Sequence, residues 1–111
     1  MINRSIQRAF LFSLAPVFFL SLAACSAKPE APATYVTSCA WCHAEGNGGA
    51  PKIGDKKEWE RRVNKGIAKV YANAINGFEG ATGIMPAKGS RMDLSDEEIR
   101  KLVDYMVAAS R

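Results

Sequence analysis

The chain has 111 residues and a formal net charge of +4, with 48% hydrophobic and 23% charged residues. That is enough for one domain, and so weak a charge excludes the broad basic face that nucleic-acid binding needs. Three cysteines and one histidine confine thiol and imidazole chemistry to a few positions.

The first segment does not read as part of the domain. Arg4 and Arg8 give a basic start, and an uncharged run of 16 residues, Ala9–Ala24, follows. A membrane-spanning helix needs about 20 apolar residues. A basic start before a shorter apolar run matches a secretory signal instead. The run ends Leu22-Ala23-Ala24-Cys25, which resembles the lipobox of bacterial lipoproteins. The resemblance implies cleavage before Cys25 and lipidation of its thiol. Lipidation also removes an odd free thiol from an oxidising compartment. Residues 1–24 are therefore expected to be a signal peptide. Residues 25–34, with Pro29 and Pro32, are expected to be an extended tether. Residues 35–111 are left for the domain, and so small a core needs added support.

Helical periods dominate that domain, and no strand pattern stands out. A first helix is expected over Tyr35–Cys42, with Tyr35, Cys39 and Cys42 on one face. Gly46, Gly48, Gly49 and Pro51 mark a loop. Asp55 and Glu58 have the spacing of a capping box for a second helix, with Trp59 and Val63 inside and Gly66 closing it. Ile67, Val70, Tyr71, Ala74 and Ile75 stripe a third helix, ended by Gly77. Gly77–Asp93 is a 17-residue loop, long enough to be functional. Ser95 and Glu98 form a second capping box. Behind it Ile99, Leu102, Val103, Met106 and Val107 stripe the last helix. The expected fold class is all-α, four helices, with the first and last packed together.

Cys39-Ala40-Trp41-Cys42-His43 is C-x-x-C-H, the attachment signature of a covalently bound haem c. Thiols three residues apart on a helical turn face the same way, so each can add to one of two neighbouring vinyl groups. The histidine that follows can reach the iron. A structural zinc would want four Cys or His ligands. A thioredoxin-like pair would want a strand leading into its helix. With no second histidine, methionine is the natural sixth ligand. Met106 lies on the apolar stripe of the last helix, and Met92 between charged Arg91 and Asp93. Met85 sits inside the long loop, where Pro86 favours an extended backbone before it. Met85 is the preferred ligand. An open sixth site, as in a peroxidase or gas sensor, is the alternative.

These residues, with Gly49-Ala50-Pro51-Lys52, Gly54-Asp55, Trp59, Arg62, Met85-Pro86-Ala87-Lys88-Gly89, Leu94-Ser95-Asp96-Glu97-Glu98 and Asp104-Tyr105-Met106, resemble the bacterial cytochrome c5 family. The resemblance covers about Tyr35 to Ala108. It implies an all-helical domain with one haem c, His43 and Met85 as axial ligands, and one-electron transfer rather than an enzymatic role. It implies that Trp59 and Arg62 hydrogen-bond a haem propionate, although Glu58 stands four residues before Arg62 as an ordinary ion-pair partner. It implies that Pro51 packs against the histidine and that its loop orients the imidazole N–H. The chain departs from the pattern where family members often carry a cysteine pair, for Arg91 and Leu94 stand there. The expected location is the periplasmic face of an inner or outer membrane, with membrane-bound or periplasmic redox proteins as partners. Lys52, Lys56, Lys57, Arg61, Arg62, Lys65 and Lys69 against Asp55, Glu58 and Glu60 read as a solvated helix face or, more sharply, as a basic rim that steers an acidic redox partner.

Overall fold

The computed structural model describes residues 27–111; the expected leader and Cys25 lie outside the described residues. The helices are α1 (Ala33–Ser38), α2 (Ala40–His43), α3 (Lys56–Val63), α4 (Ile67–Asn76) and α5 (Asp96–Ala108). Short 3-10 turns at Asn47–Gly49 and Ala87–Ser90 and a hairpin of β1 (Phe78–Gly80) and β2 (Gly83–Met85) complete the fold. Among the described residues, no helix is long and apolar enough to cross a membrane.

The expected first helix is two. Ser38 Oγ donates back to the Thr34 carbonyl, and Thr37 Oγ1 to Ala33 and Thr34. Such back-bonding bends helices. The helix opens at Cys39, whose φ widens to −103°, yet the backbone stays right-handed. Cys39 and Cys42 therefore remain one turn apart. The helix also starts two residues before the expected Tyr35, inside the expected tether, because Pro32, with its fixed φ and missing N–H, suits a helix entrance.

Asp55 accepts from the Glu58 backbone N–H at 3.0 Å, so α3 begins where its cap was expected. Only half of the capping box forms, since the Glu58 carboxylate binds Arg61 and Arg62 instead. Gly66, expected to close that helix, opens α4, with Asn64 closing α3. The α5 capping box is complete: Glu98 N–H donates to Ser95 Oγ at 3.2 Å and Ser95 N–H to Glu98 Oε2 at 2.7 Å. At the other end Ser110, 2% exposed, donates to the Met106 carbonyl and accepts from the Gly54 N–H. That one hydroxyl ties the end of α5 to the loop after His43.

Ile99, Leu102, Val103, Met106 and Val107 of α5 form the core with Tyr35, Trp59, Ala74 and Leu94. The α4 stripe of Ile67, Val70, Tyr71 and Ile75 packs against it. First and last helices meet as expected: the Tyr35 and Tyr105 rings stack edge to face at 4.9 Å.

The long loop holds the hairpin that the sequence reading did not contain. Phe78 pairs with Met85, Glu79 with Ile84 and Gly80 with Gly83, antiparallel. Three-residue strands with glycine in each carry no alternation to detect. The Gly80–Gly83 stretch is the hairpin turn.

Candidate functional site

His43 is 6% exposed, and the three residues after Ala50 hold it. Its Nδ1 lies 3.0 Å from the Pro51 carbonyl oxygen, a geometry in which the N–H donates. The next carbonyl, of Lys52, accepts from Trp59 Nε1 at 2.9 Å. The next amide, of Ile53, donates to the His43 carbonyl at 2.7 Å. A proton on Nδ1 leaves the Nε2 lone pair free, and among the described residues nothing bonds it. Burial pushes the imidazole below its usual range, the Pro51 carbonyl acts the other way, and the Arg62 charge adds to the lowering. The ring is held neutral, fixed in tautomer and orientation, as a metal ligand requires.

Cys39 and Cys42 are free thiols, each half-buried. Burial raises the Cys39 thiol, against the Ser38 hydroxyl and the Arg91 charge. Two unbridged thiols a turn apart, beside a neutral imidazole with an open nitrogen, are the donor set of a covalently attached haem. Among the described residues no three His, Cys, Asp or Glu side chains are grouped so as to hold a metal ion by themselves.

The methionines separate by environment. Met106 is 2% exposed within the core, and Met92 is 69% exposed. Met85 ends β2, half-buried against the core. Downstream, Lys88 reaches across the loop, its Nζ 2.8 Å from both the Leu94 carbonyl and Asp96 Oδ1. Lys88 holds a left-handed φ of 54°. This lysine braces the methionine segment against the start of α5, near where a cysteine pair is missing. Nothing in a single lysine marked that role in advance.

Trp59 is 3% exposed, its ring centroid 6.1 Å from that of His43. Its indole N–H is engaged by the Lys52 carbonyl, a partner that competes with the propionate bond the resemblance implies for it. Arg62 pairs with Glu58 through Nε at 3.0 Å and through a terminal nitrogen at 2.7 Å. It stands close enough to act on His43 by charge, and its fork holds further N–H donors.

The family model described as cytochrome c oxidase, cbb3-type, subunit III matches residues 27–106. Cytochrome c-555 of Chlorobaculum thiosulfatiphilum is 47% identical over 79 residues, 71% of this chain and 92% of that protein. Cytochrome c5 of Ectopseudomonas mendocina is 40% identical over 70 residues, 61% of this chain and 76% of that protein. In three dimensions the chain matches one from a crystal structure of an electron transfer complex of nitrite reductase with cytochrome c. That match has a TM-score of 0.61 and 33% identity, covering 70% of this chain and 90% of the other.

Proposed function

The chain belongs to the class I c-type cytochromes, and from that premise we propose that it is a one-electron carrier with His43 and Met85 as axial ligands. It carries one covalently attached haem c, on Cys39 and Cys42. The bound iron supplies a one-electron couple. The protein's own residues do the rest. Pro51 and Ile53 hold the histidine between two hydrogen bonds, so its Nε2 stays aimed. Met85 offers a soft thioether, which raises the potential relative to a second nitrogen ligand. Arg62 would pair with a propionate of the bound haem, and Trp59 packs beside His43.

The single observation that carries this reading is the buried His43 with Nδ1 tied to Pro51 and Nε2 unpartnered. Homologues of this size are small cytochromes c acting in electron transfer. A six-coordinate iron suits that task, because little ligand movement accompanies each electron. The reading extends to location and partners. Cys25 is proposed as a lipid anchor on a membrane facing the periplasm, where more than one acyl chain is needed for stable attachment. Redox proteins there would be the donor and acceptor.

A near-infrared spectrum of the oxidised holoprotein, with a redox titration, tests it. A sulfur-to-iron band and a single one-electron wave are expected. A protein that lacks the band and binds peroxide or carbon monoxide readily would instead be the open-site haem protein. Release of the Cys25→Ser variant from membranes, with its spectrum unaltered, checks the anchor.

A further inference from the structure

Two segments far apart in sequence meet backbone to backbone. One is the turn after His43, with Gly48 and Gly49. The other is the hairpin turn, with Thr82 and Gly83. A methyl group on Gly83 would overlap the Gly48 carbonyl oxygen. A methyl group on Gly49 would overlap the Thr82 carbonyl oxygen and lie 2.8 Å from its carbon. Thr82 Oγ1 reaches the Gly49 carbonyl at 3.5 Å. Gly49 has a left-handed φ of +77°, whereas Gly83 is not among the positive-φ glycines. At Gly83, then, close approach alone requires the missing side chain.

The hairpin needs such a brace. Two short strands alone are marginal in water, and this pair buries little: Phe78 is 41% and Ile84 72% exposed. Yet Met85 ends the second strand, and a thioether is a weak ligand that stays in place only if its backbone does. The other side of the contact is anchored, because the same loop continues into Pro51 and Ile53, which bind His43.

We propose that the contact of Gly48–Gly49 with Thr82–Gly83 is a clasp that sets the distance of the Met85 strand from the histidine loop. Gly49, Thr82 and Gly83 are positioning residues, acting on the iron through Met85, while Gly48 enters the contact only through its backbone carbonyl. The inference rests on Met85 being the sixth ligand.

Gly83→Ala is the direct test, read on the purified holoprotein. Gly48→Ala is its control, since Gly48 lies in the same turn and an added methyl there meets nothing within 4 Å. The Gly83→Ala protein should keep one haem per chain in a pyridine haemochrome assay and an unaltered far-ultraviolet circular dichroism spectrum. It should lose most of the near-infrared sulfur-to-iron band, and its reduced form should bind carbon monoxide about tenfold more tightly, the scale expected of overpacking. Gly48→Ala should retain the band and the low affinity. The clasp is refuted by a Gly83→Ala protein with both at the wild-type level, or by equal loss in Gly48→Ala. If Gly83→Ala yields no holoprotein, Gly49→Ala against Gly48→Ala decides: both strain the backbone, and only Gly49 meets Thr82. Equal bands in that pair refute the clasp, and a weaker band in Gly49→Ala supports it. Met85→Leu separates the two readings. If it keeps the band, the ligand assignment fails and the clasp with it. If it loses the band while Gly83→Ala keeps it, the clasp alone fails.

Discussion

The indole N–H of Trp59 donates to the Lys52 carbonyl at 2.9 Å, one residue beyond the carbonyl used by His43. Two rings thus bind consecutive carbonyls of one loop, and the tryptophan holds the peptide that orients the histidine. This gives Trp59 a role in stability, distinct from the propionate contact proposed for Arg62.

Those roles separate under mutation. Trp59→Phe removes the N–H and leaves the carbonyl short of a partner, at a cost of about 1–3 kcal/mol. Denaturant unfolding of the holoprotein should show that loss with a small change in potential. Arg62→Gln removes a positive charge near the iron site, so oxidised iron is relatively favoured and the midpoint potential should fall. A larger shift in Trp59→Phe than in Arg62→Gln would put the tryptophan back at the propionate.

Met85→Leu should keep the haem, since the thioether links to Cys39 and Cys42 are untouched. It should lower the potential, because a thioether ligand raises it, and should admit carbon monoxide to the reduced iron. Met92→Leu should change neither, as that side chain is 69% exposed. The reverse result, read by the same titration and gas binding, would move the ligand to Met92.

Much of this was legible in the sequence, for physical reasons. The α4 and α5 stripes are long enough to fix a helical period, and Ser95 with Glu98 marks a helix start through groups that can bond only there. The C-x-x-C-H spacing carries its own chemistry. What escaped was either a competition between local bonds or a contact across the fold. The break at Cys39 comes from hydroxyls bonding back to the preceding turn. The hairpin is held by backbone approach at glycines rather than by an apolar pattern. Glu58 had two competing uses, and two arginines outcompeted one backbone N–H. Lys88 and Ser110 act across the fold, and no local pattern foretells their partners.

The Glu58 carboxyl gives a pH signature. Arg61 first, and then Arg62, hold it at about 2, against an ordinary value of 4.5. A depressed carboxyl contributes stability above its unfolded value, and that contribution is lost as pH falls through the folded one. Glu58→Gln should therefore destabilise the protein near neutral pH by about 1 kcal/mol, the scale for a partly exposed pair, since Glu58 is 29% and Arg61 50% exposed. The difference should shrink below about pH 4.5 and vanish near pH 2. Urea midpoints of both proteins across that range check it; a gap that persists undiminished at the acid end would assign the effect to packing.

The basic stretch from Lys52 to Lys69 divides once its pairs are known. Lys52 lies 3.1 Å from Glu45 and Lys56 3.7 Å from Glu60, while Arg61 and Arg62 share Glu58. Among the described residues, Lys57, Lys65 and Lys69 have no carboxylate within ion-pair distance. These three are the charges free to act at range. If they steer an acidic redox partner, the second-order electron-transfer rate should fall as salt rises, because the screening length shrinks from about 10 Å at 0.1 M to about 3 Å at 1 M. Lys57→Glu with Lys69→Glu should slow association at low salt and matter little at high salt, since rim charges act mainly on the on-rate. Lys56→Gln should do less, because Glu60 already offsets that charge. Stopped-flow kinetics against an acidic acceptor would measure all three, and a rate indifferent to ionic strength would make these lysines a solvated helix face.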